Sequence, residues 1–295
     1  MDQMLTMDKI NKINDKYLDS IFFDLDGTLL NSQKQITEKT LLCIKKLQAK
    51  GKKVGIITGR PYFFAKYENH LINADFPLIG CNGALIYDFK KNEIIYKNPI
   101  NKNATIEIFD KLIKNNITFL LYTTEEIFGF YSINEYPNWF NWLNNSINKL
   151  PDKFKFKFNA YKYKFNENDF EIQQFDIIKI LVIVSDSDLT YVHSFCDELR
   201  NIKGIYTIKS QSNVIDIMPN DCSKGEALNM LSKIQNIDLN KTIVFGDEHN
   251  DISMFNVSKY SVAMGQANLE IKNAATFITL SNNDDGIYDF FEKIN

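Results

Sequence analysis

The sequence predicts an α/β protein in which a parallel-sheet core is interrupted by a large α+β insert. Near both ends, over residues 21–81 and again after Pro219, short apolar runs bounded by turn residues alternate with stretches of helical spacing. Between them, from about Ile86 to Met218, the alternation breaks into hairpin-like and irregular segments. The length, 295 residues, also exceeds what one hydrophobic core ordinarily holds. Residues 1–85 and 219–295 are therefore expected to form the core, and 86–218 the insert.

Ile21-Phe22-Phe23 reads as a buried strand, and it ends in Asp24-Leu25-Asp26-Gly27-Thr28. In an open parallel sheet the ligand crevice lies beyond the carboxyl ends of the strands, which puts Asp24 and Asp26 at its edge, with Gly27 allowing a tight turn. Ile36 to Lys50 has helical spacing, opens at Thr37-Glu38 and closes at Gly51. Lys53 to Ile57 is a second strand ending in Thr58-Gly59-Arg60-Pro61, followed by a helix over Tyr62 to Asn73. Phe76 to Cys81 is a third strand ending at Asn82-Gly83. This strand, helix, strand, helix order gives a right-handed parallel unit.

In the insert, Ile86–Asp88 and Glu93–Tyr96 suit a hairpin, Lys102–Lys114 a helix, and Thr118–Tyr122 and Phe128–Ser132 strands. Tyr136–Leu150 is aromatic and irregularly amphipathic, Ile177–Val184 is a strand, and Leu189–Arg200 a helix. Ile205–Ile208 and Val214–Met218 close the insert as strands. After Pro219 the parallel pattern returns: Ser223 caps a helix over Lys224–Lys233, and Thr242–Phe245 is a strand ending in Gly246-Asp247-Glu248-His249-Asn250-Asp251. Tyr260–Met264 and Thr276–Leu280 are two further strands, with helices around Leu269 and after Gly286.

Hydrophobic content of 44% and charged content of 24% suit a folded soluble chain. A net charge of −3 supplies no global field for nucleic acid or anionic membranes. The four cysteines lack CxxC spacing and there are only three histidines, which argues against zinc. Met1 to Ser20 has no apolar signal region and no run is long enough to span a bilayer, so the expected setting is the cytoplasm, without membrane or nucleic-acid partners.

Asp24, Asp26, Thr58, Lys224, Asp247, Asn250 and Asp251 all fall at strand ends or a helix start. Several carboxylates above one sheet repel unless a cation joins them, and oxygen-only ligation suits Mg²⁺. Lys224 at a helix N-terminus adds charge and backbone N–H groups for a phosphate. The combination describes phosphoryl transfer to an Asp nucleophile.

These residues, in order and spacing, resemble the four motifs of the haloacid dehalogenase superfamily of phosphatases: Asp24-Leu25-Asp26-Gly27-Thr28-Leu29, Thr58-Gly59-Arg60, Lys224-Gly225 and Gly246 to Asp251. The insert resembles a type 2 cap on a Rossmann-like core. Asn82-Gly83-Ala84, Ile215 to Pro219 and Asp285-Gly286-Ile287 are similar to the Cof-type branch. The resemblance implies that Asp24 attacks phosphorus and that Asp26 protonates the leaving alcohol and later activates water. It also implies that Asp24, the backbone carbonyl of Asp26, and Asp247 ligate Mg²⁺. Thr58, Gly59, Lys224 and Asn250 would hold phosphate, while Asp251, Gly27, Arg60 and Asn82 support the site. The implied substrate is a small phosphorylated metabolite, foremost a sugar phosphate, beneath a cap that hinges near Ile86 and Pro219. A phosphomutase of the same superfamily and a metabolite sensor with a retained site are the alternatives. Oligomeric state is left open.

Each residue also has a plainer reading. Thr58 can cap the following helix, and a lone lysine such as Lys224 is ordinarily a solvated one. His249 and the small residues Cys81 and Cys222 are expected to be structural. Asp216 reads as a solvent or hinge residue on an insert strand. The stretch from Lys153 to Phe165 interleaves lysines and aromatic rings. It suits an edge strand with one buried aromatic face better than a surface for single-stranded nucleic acid.

Overall fold

The computed structural model describes residues 17–132, 134–162, 170–184, 194–195, 197–199, 201–211 and 214–294. Most of Met1–Ser20, much of the Leu189–Arg200 helix with Cys196, and the Tyr163–Phe165 end of the lysine and aromatic stretch lie outside the described residues. Among the described residues, no helix is long and apolar enough to cross a membrane.

Contacts within the chain define two compact units, one of residues up to Tyr96 together with Ser223–Asn295, the other Lys97–Cys222. The first unit begins with β1 (Ser20–Phe23), α1 (Glu38–Ala49), β2 (Lys53–Ile56), α2 (Lys66–Leu71), β3 (Leu78–Gly80), β4 (Leu85–Asp88) and β5 (Glu93–Lys97). The second carries α3 (Lys102–Lys114), β6 (Phe119–Tyr122), β7 (Glu126–Tyr131), α4 (Asn138–Lys149), β8 (Lys157–Lys162), β9 (Lys179–Ile183), β10 (Ile205–Gln211) and β11 (Val214–Pro219). The chain then returns to the first unit with α5 (Lys224–Gln235), β12 (Thr242–Gly246), α6 (Ile252–Val257), β13 (Tyr260–Ala263), α7 (Leu269–Ala274), β14 (Phe277–Ile278) and α8 (Gly286–Lys293).

The core sheet has the order β14-β13-β12-β1-β2, every pair parallel. Side chains alternate across its two faces, and both faces are covered. Ile21, Phe23, Ile243 and Phe245 pack with Ile44 and Leu47 of α1 and Phe290 and Phe291 of α8. Phe22 and Val244 pack with Leu228 and Leu231 of α5 and Met254 and Phe255 of α6. A strand buried on both faces needs the continuous apolar run that identified it in the sequence. The helix ends also follow local chemistry: Thr37 accepts from the Thr40 N–H to cap α1, and Ser223 from the Glu226 N–H to cap α5.

Two details of the core differ from the sequence expectation. The 62–73 helix is shorter, because Phe64 and Ala65 bond back to the Pro61 carbonyl and Tyr62 stacks on Tyr87 at 3.8 Å, so α2 starts only at Lys66. The third strand meets the main sheet only by the Ile57–Ile79 bridge and pairs antiparallel with β4, in the three-stranded sheet β3-β4-β5. That pairing carries the 86–96 hairpin with the core. The units therefore divide after Tyr96 and Cys222, not at the 85/86 and 218/219 boundaries.

The insert sheet has the order β10-β11-β9-β6-β7-β8, antiparallel except for β7 and β8. On β7, Phe128 and Phe130 join the cluster that includes Phe109 and Leu112 of α3. Gly129 points the other way, where a Cβ would meet the Phe140 ring of α4 at 2.7 Å. Among the described residues β8 is an edge strand bonded only to β7, and its Lys157 and Lys162 are exposed. Its described part thus has the edge-strand form. Asp216 is neither solvent-facing nor at a hinge. It is fully buried on β11, 3.2 Å from Lys179 Nζ, which lies 4.6 Å over the Tyr122 ring. Cys81 and Cys222 are buried.

Candidate active site

The parallel register of β1, β2 and β12 sets Phe23 beside Ile56 and Phe245, so the residues that follow leave the sheet side by side. Asp24 still donates its N–H to the Phe245 carbonyl (2.9 Å), and Ile57 donates to the Phe23 carbonyl (2.9 Å). Beyond that line the chain curls at once: Leu29 N–H reaches the Asp24 carbonyl at 3.1 Å and Leu30 N–H the Leu25 carbonyl at 2.9 Å. Gly27 has φ +87°, and any Cβ there would overlap the Asp247 carboxylate. Only glycine lets this turn and the fourth motif approach so closely.

Lys224, the first residue of α5, is 1% exposed, and its Nζ lies 2.6 Å from both Asp24 Oδ1 and Asp251 Oδ1. An ammonium at a helix N-terminus opposes the helix dipole, so these two carboxylates hold it there. The other oxygen of Asp251 accepts from the backbone N–H groups of Asp247 (2.8 Å) and Glu248 (3.0 Å), which folds the 247–251 loop around it. Asp247 accepts from Thr28 Oγ1 (2.9 Å) and from Gln266 Nε2 (3.3 Å), and the same amide donates to the Gly27 carbonyl (2.5 Å).

Asp24, Asp247 and Asp251 bring one carboxylate oxygen each to within 4.8 Å of one another. Three carboxylates here share one ammonium. Burial and the neighbouring Asp251 push Asp24 up to about 7 in spite of Lys224, and burial with Asp24 and Asp251 pushes Asp247 up to about 8. Burial works against the Lys224 ammonium, but Asp24 and Asp251 outweigh it and raise the lysine further above its usual range. An all-oxygen, over-negative cluster of this kind fits a hard divalent cation.

The Asp26 side chain stands outside that cluster. Its Oδ2 accepts from Arg60 Nε and its Oδ1 from Arg60 Nη2, both at 2.7 Å, and Lys34 Nζ adds a third contact at 2.6 Å. Burial disfavours the ionised carboxylate, but the Arg60 and Lys34 cations outweigh it and hold the group well below the usual carboxylate range. Arg60 is itself 3.2 Å from Glu68 Oε1 and lies 4.4 Å over the Phe64 ring.

On the opposite side, Thr58 is buried and its hydroxyl oxygen accepts from the Arg60 N–H at 3.1 Å, leaving its O–H to donate. Cys81, Asn82 and Gly83 all have positive φ, a turn that brings the Asn82 amide beside Gly59 and to 2.9 Å from Asn250 Nδ2. Asn250 Oδ1 is buried with no hydrogen-bond partner among the described residues, an acceptor available to a ligand. His249 lies at the surface, 3.5 Å from Glu270.

The structure thus gathers Asp24, Lys224, Asp247 and Asp251, places Thr58, Gly59, Asn82 and Asn250 together, and ties Asp26 to Arg60. The sequence reading missed the parts played by Lys34, Glu68, Thr28 and Gln266. Gln266 follows Gly265 just beyond β13, so the rule that ligands gather at strand ends would have reached it. Lys34 and Glu68 carry no such signal.

The pattern of the haloacid dehalogenase-like hydrolases matches residues 21–291. The chain belongs to this family. Within it, it is a Cof-type phosphatase, a phosphoric monoester hydrolase. A Mycoplasma pneumoniae protein provisionally assigned as a phosphatase is 33% identical, the match covering 92% of this chain and 96% of that one. A 5-amino-6-(5-phospho-D-ribitylamino)uracil phosphatase of Bacillus subtilis is 30% identical, covering 93% and 97%. Among solved structures, a haloacid dehalogenase-like hydrolase from Bacteroides thetaiotaomicron superposes with a TM-score of 0.76 at 23% identity, covering 94% of this chain and all of that one. It shares the fold of a core with a cap domain.

Proposed function

We propose that this enzyme is a Mg²⁺-dependent phosphatase of small phosphorylated metabolites, sugar phosphates foremost, working through an aspartyl-phosphate on Asp24. The observation that carries the reading is Lys224 Nζ bridging Asp24 and Asp251 at 2.6 Å in a buried site. Lys224 holds Oδ1 of Asp24, which turns Oδ2 toward an incoming phosphorus. Attack by that oxygen forms the Asp24–phosphorus bond as the bond to the leaving alcohol oxygen breaks. Asp26, held ionised by Arg60 and Lys34, relays to that oxygen a proton carried in on the monoanionic phosphate ester, and so ends the first half as a carboxylate again. In the second half Asp26 takes a proton from water, whose oxygen displaces Asp24 and releases inorganic phosphate.

Asp24, Asp247 and the backbone carbonyl of Asp26 are the groups that would hold Mg²⁺, with Asp251 anchoring Lys224 and the 247–251 loop. Bound there, the ion supplies positive charge to the phosphoryl oxygens and relieves the repulsion between the carboxylates. Thr58 O–H, Lys224 and the Asn82–Asn250 amides are the polar groups placed to hold the rest of the phosphate. The sugar-phosphate assignment is supported by the B. subtilis relative, whose named substrate carries its phosphate on a ribityl chain.

The test is phosphate release from a panel of sugar phosphates, nucleotides and pyridoxal phosphate, with Mg²⁺ and with EDTA, comparing wild type with Asp24→Asn. Metal-dependent release confined to wild type is expected. Equal release by the two proteins would defeat the nucleophile assignment.

A further inference from the structure

Asp26 is the moving-proton residue of the proposed reaction, yet nothing in the first motif fixes where its carboxylate points. The structure fixes it from outside the motif, by a linear chain of charges Glu68–Arg60–Asp26–Lys34. We propose that Glu68 and Lys34, neither of which touches the reacting atoms, are positioning residues that set Asp26 as the base of the second half-reaction. This rests on the phosphatase reading above.

Arg60 grips Asp26 with two parallel bonds of 2.7 Å, a fork geometry that leaves the carboxylate no rotational freedom. The guanidinium is fixed in turn by Glu68 on one edge and the Phe64 ring on its face. Glu68 is 7% exposed and its Oε2 has no hydrogen-bond partner, so burying it does little for stability that an apolar residue would not do better. Its geometric effect is on Arg60.

Lys34 arrives from the other side, on a loop built to present it. The Asn31 side chain accepts from the N–H groups of Gln33 and Gln35, and Lys34 N–H returns to the Asn31 carbonyl at 2.9 Å. Ser32 N–H is pinned by Asn283 Oδ1 and the Leu30 carbonyl by Asn282 Nδ2. Lys34 itself has φ +59°, a backbone state that residues with a side chain rarely adopt, and from it the ammonium reaches Asp26 Oδ1. Both Lys34 and Arg60 Nη2 fall on Oδ1, whereas Oδ2 accepts from Arg60 Nε. Oδ2 therefore keeps a lone pair for the proton of the attacking water. A base held to within tenths of an ångström is what proton transfer demands.

The experiment is pre-steady-state release of nitrophenol from p-nitrophenyl phosphate by the Mg²⁺-loaded full chain. Nitrophenol leaves without much help from an acid, so the first half stays fast while a poorly placed base slows hydrolysis of the phospho-enzyme. Lys34→Gln, a surface change that spares the fold, and Glu68→Ala are expected to show a burst approaching one nitrophenol per enzyme, followed by a steady rate lowered about tenfold or more. Lys34→Arg and Glu68→Gln, which keep a cation on Asp26 and an acceptor for Arg60, are expected to recover most of the steady rate. A purely structural role would lower burst and steady rate together. That result, or wild-type kinetics in Lys34→Gln, overturns the inference while leaving the phosphatase reading standing. A wild-type enzyme that releases no nitrophenol removes the phosphatase reading and the positioning role with it.

Discussion

The two units bury charge in opposite ways. In the core, the buried ions are drawn from four separate strand ends or helix starts and form an over-negative cluster that no simple pairing balances: Asp24, Asp247 and Asp251 against Lys224. In the insert, Lys179 and Asp216 form a matched pair on adjacent strands of the sheet. An excess of negative charge points to a cation as its partner. Balance points only to a local solution for two buried ions. The difference separates a site built for a ligand from a pair whose charges match.

The comparison can be broken first at the nucleophile. With Asp24 as the proposed nucleophile, Asp24→Asn is expected to abolish phosphate release, a loss of at least about 10⁴ in kcat. Lys224→Ala should lower the rate by about 10² to 10³, as for loss of a charge-stabilising group, measured on the best substrate of the panel. In the insert the same kind of change should read out as stability. Lys179→Met alone is expected to cost about 3–5 kcal/mol in urea unfolding, by stripping Asp216 of its ammonium, whereas Lys179→Met with Asp216→Leu should be near neutral or stabilising. A double variant as unstable as the single would erase the contrast drawn here. Gly129→Val should cost about 1–3 kcal/mol by driving a side chain into the Phe140 ring.

The smallest effect is on pH and metal. Asp24 and Asp247 have folded-state values of about 7 and about 8, above their ordinary value of 3.8, so the folded chain binds more protons than the unfolded one between those limits. Their contribution to stability is present below about pH 4 and is lost as pH rises through about 7 to 8. Asp26 is shifted the other way, but its contribution is already complete above the ordinary carboxylate range, so it does not vary in this window. The Tm of EDTA-treated protein is therefore expected to fall between about pH 5.5 and 8, and Mg²⁺ should raise it more at the upper pH. A metal effect equal at both pH values would mean that these carboxylates are not its ligands.

The same contrast explains what could be read from the sequence. Asp24, Gly27, Lys224 and Asp251 are legible because each sits where a backbone event, a strand end, a positive φ or a helix start, demands a particular residue. The core strands are legible because burial on both faces leaves an unbroken apolar run. The β4–β5 hairpin is assigned by sequence to the insert because a short hairpin carries no mark of which sheet it will join, whereas in the fold it pairs with β3, which also bridges to the core sheet. Asp216 was misread because its partner lies on another strand, 37 residues away. Lys34 and Glu68 escaped for the same reason: their meaning lies in Arg60 and Asp26, and neither spacing nor composition links them.

The central strand has one further consequence. β1 is flanked by β2, soon after it in the chain, and by β12, which follows only after the whole insert. During synthesis this fully buried strand must wait with one edge unpaired while the insert, which is continuous in sequence, emerges. Such an edge invites pairing with other chains. Folding of the core is thus expected to be the slow, concentration-sensitive step in refolding, and dependence on molecular chaperones should track the 21–30 segment more than the larger and more aromatic insert.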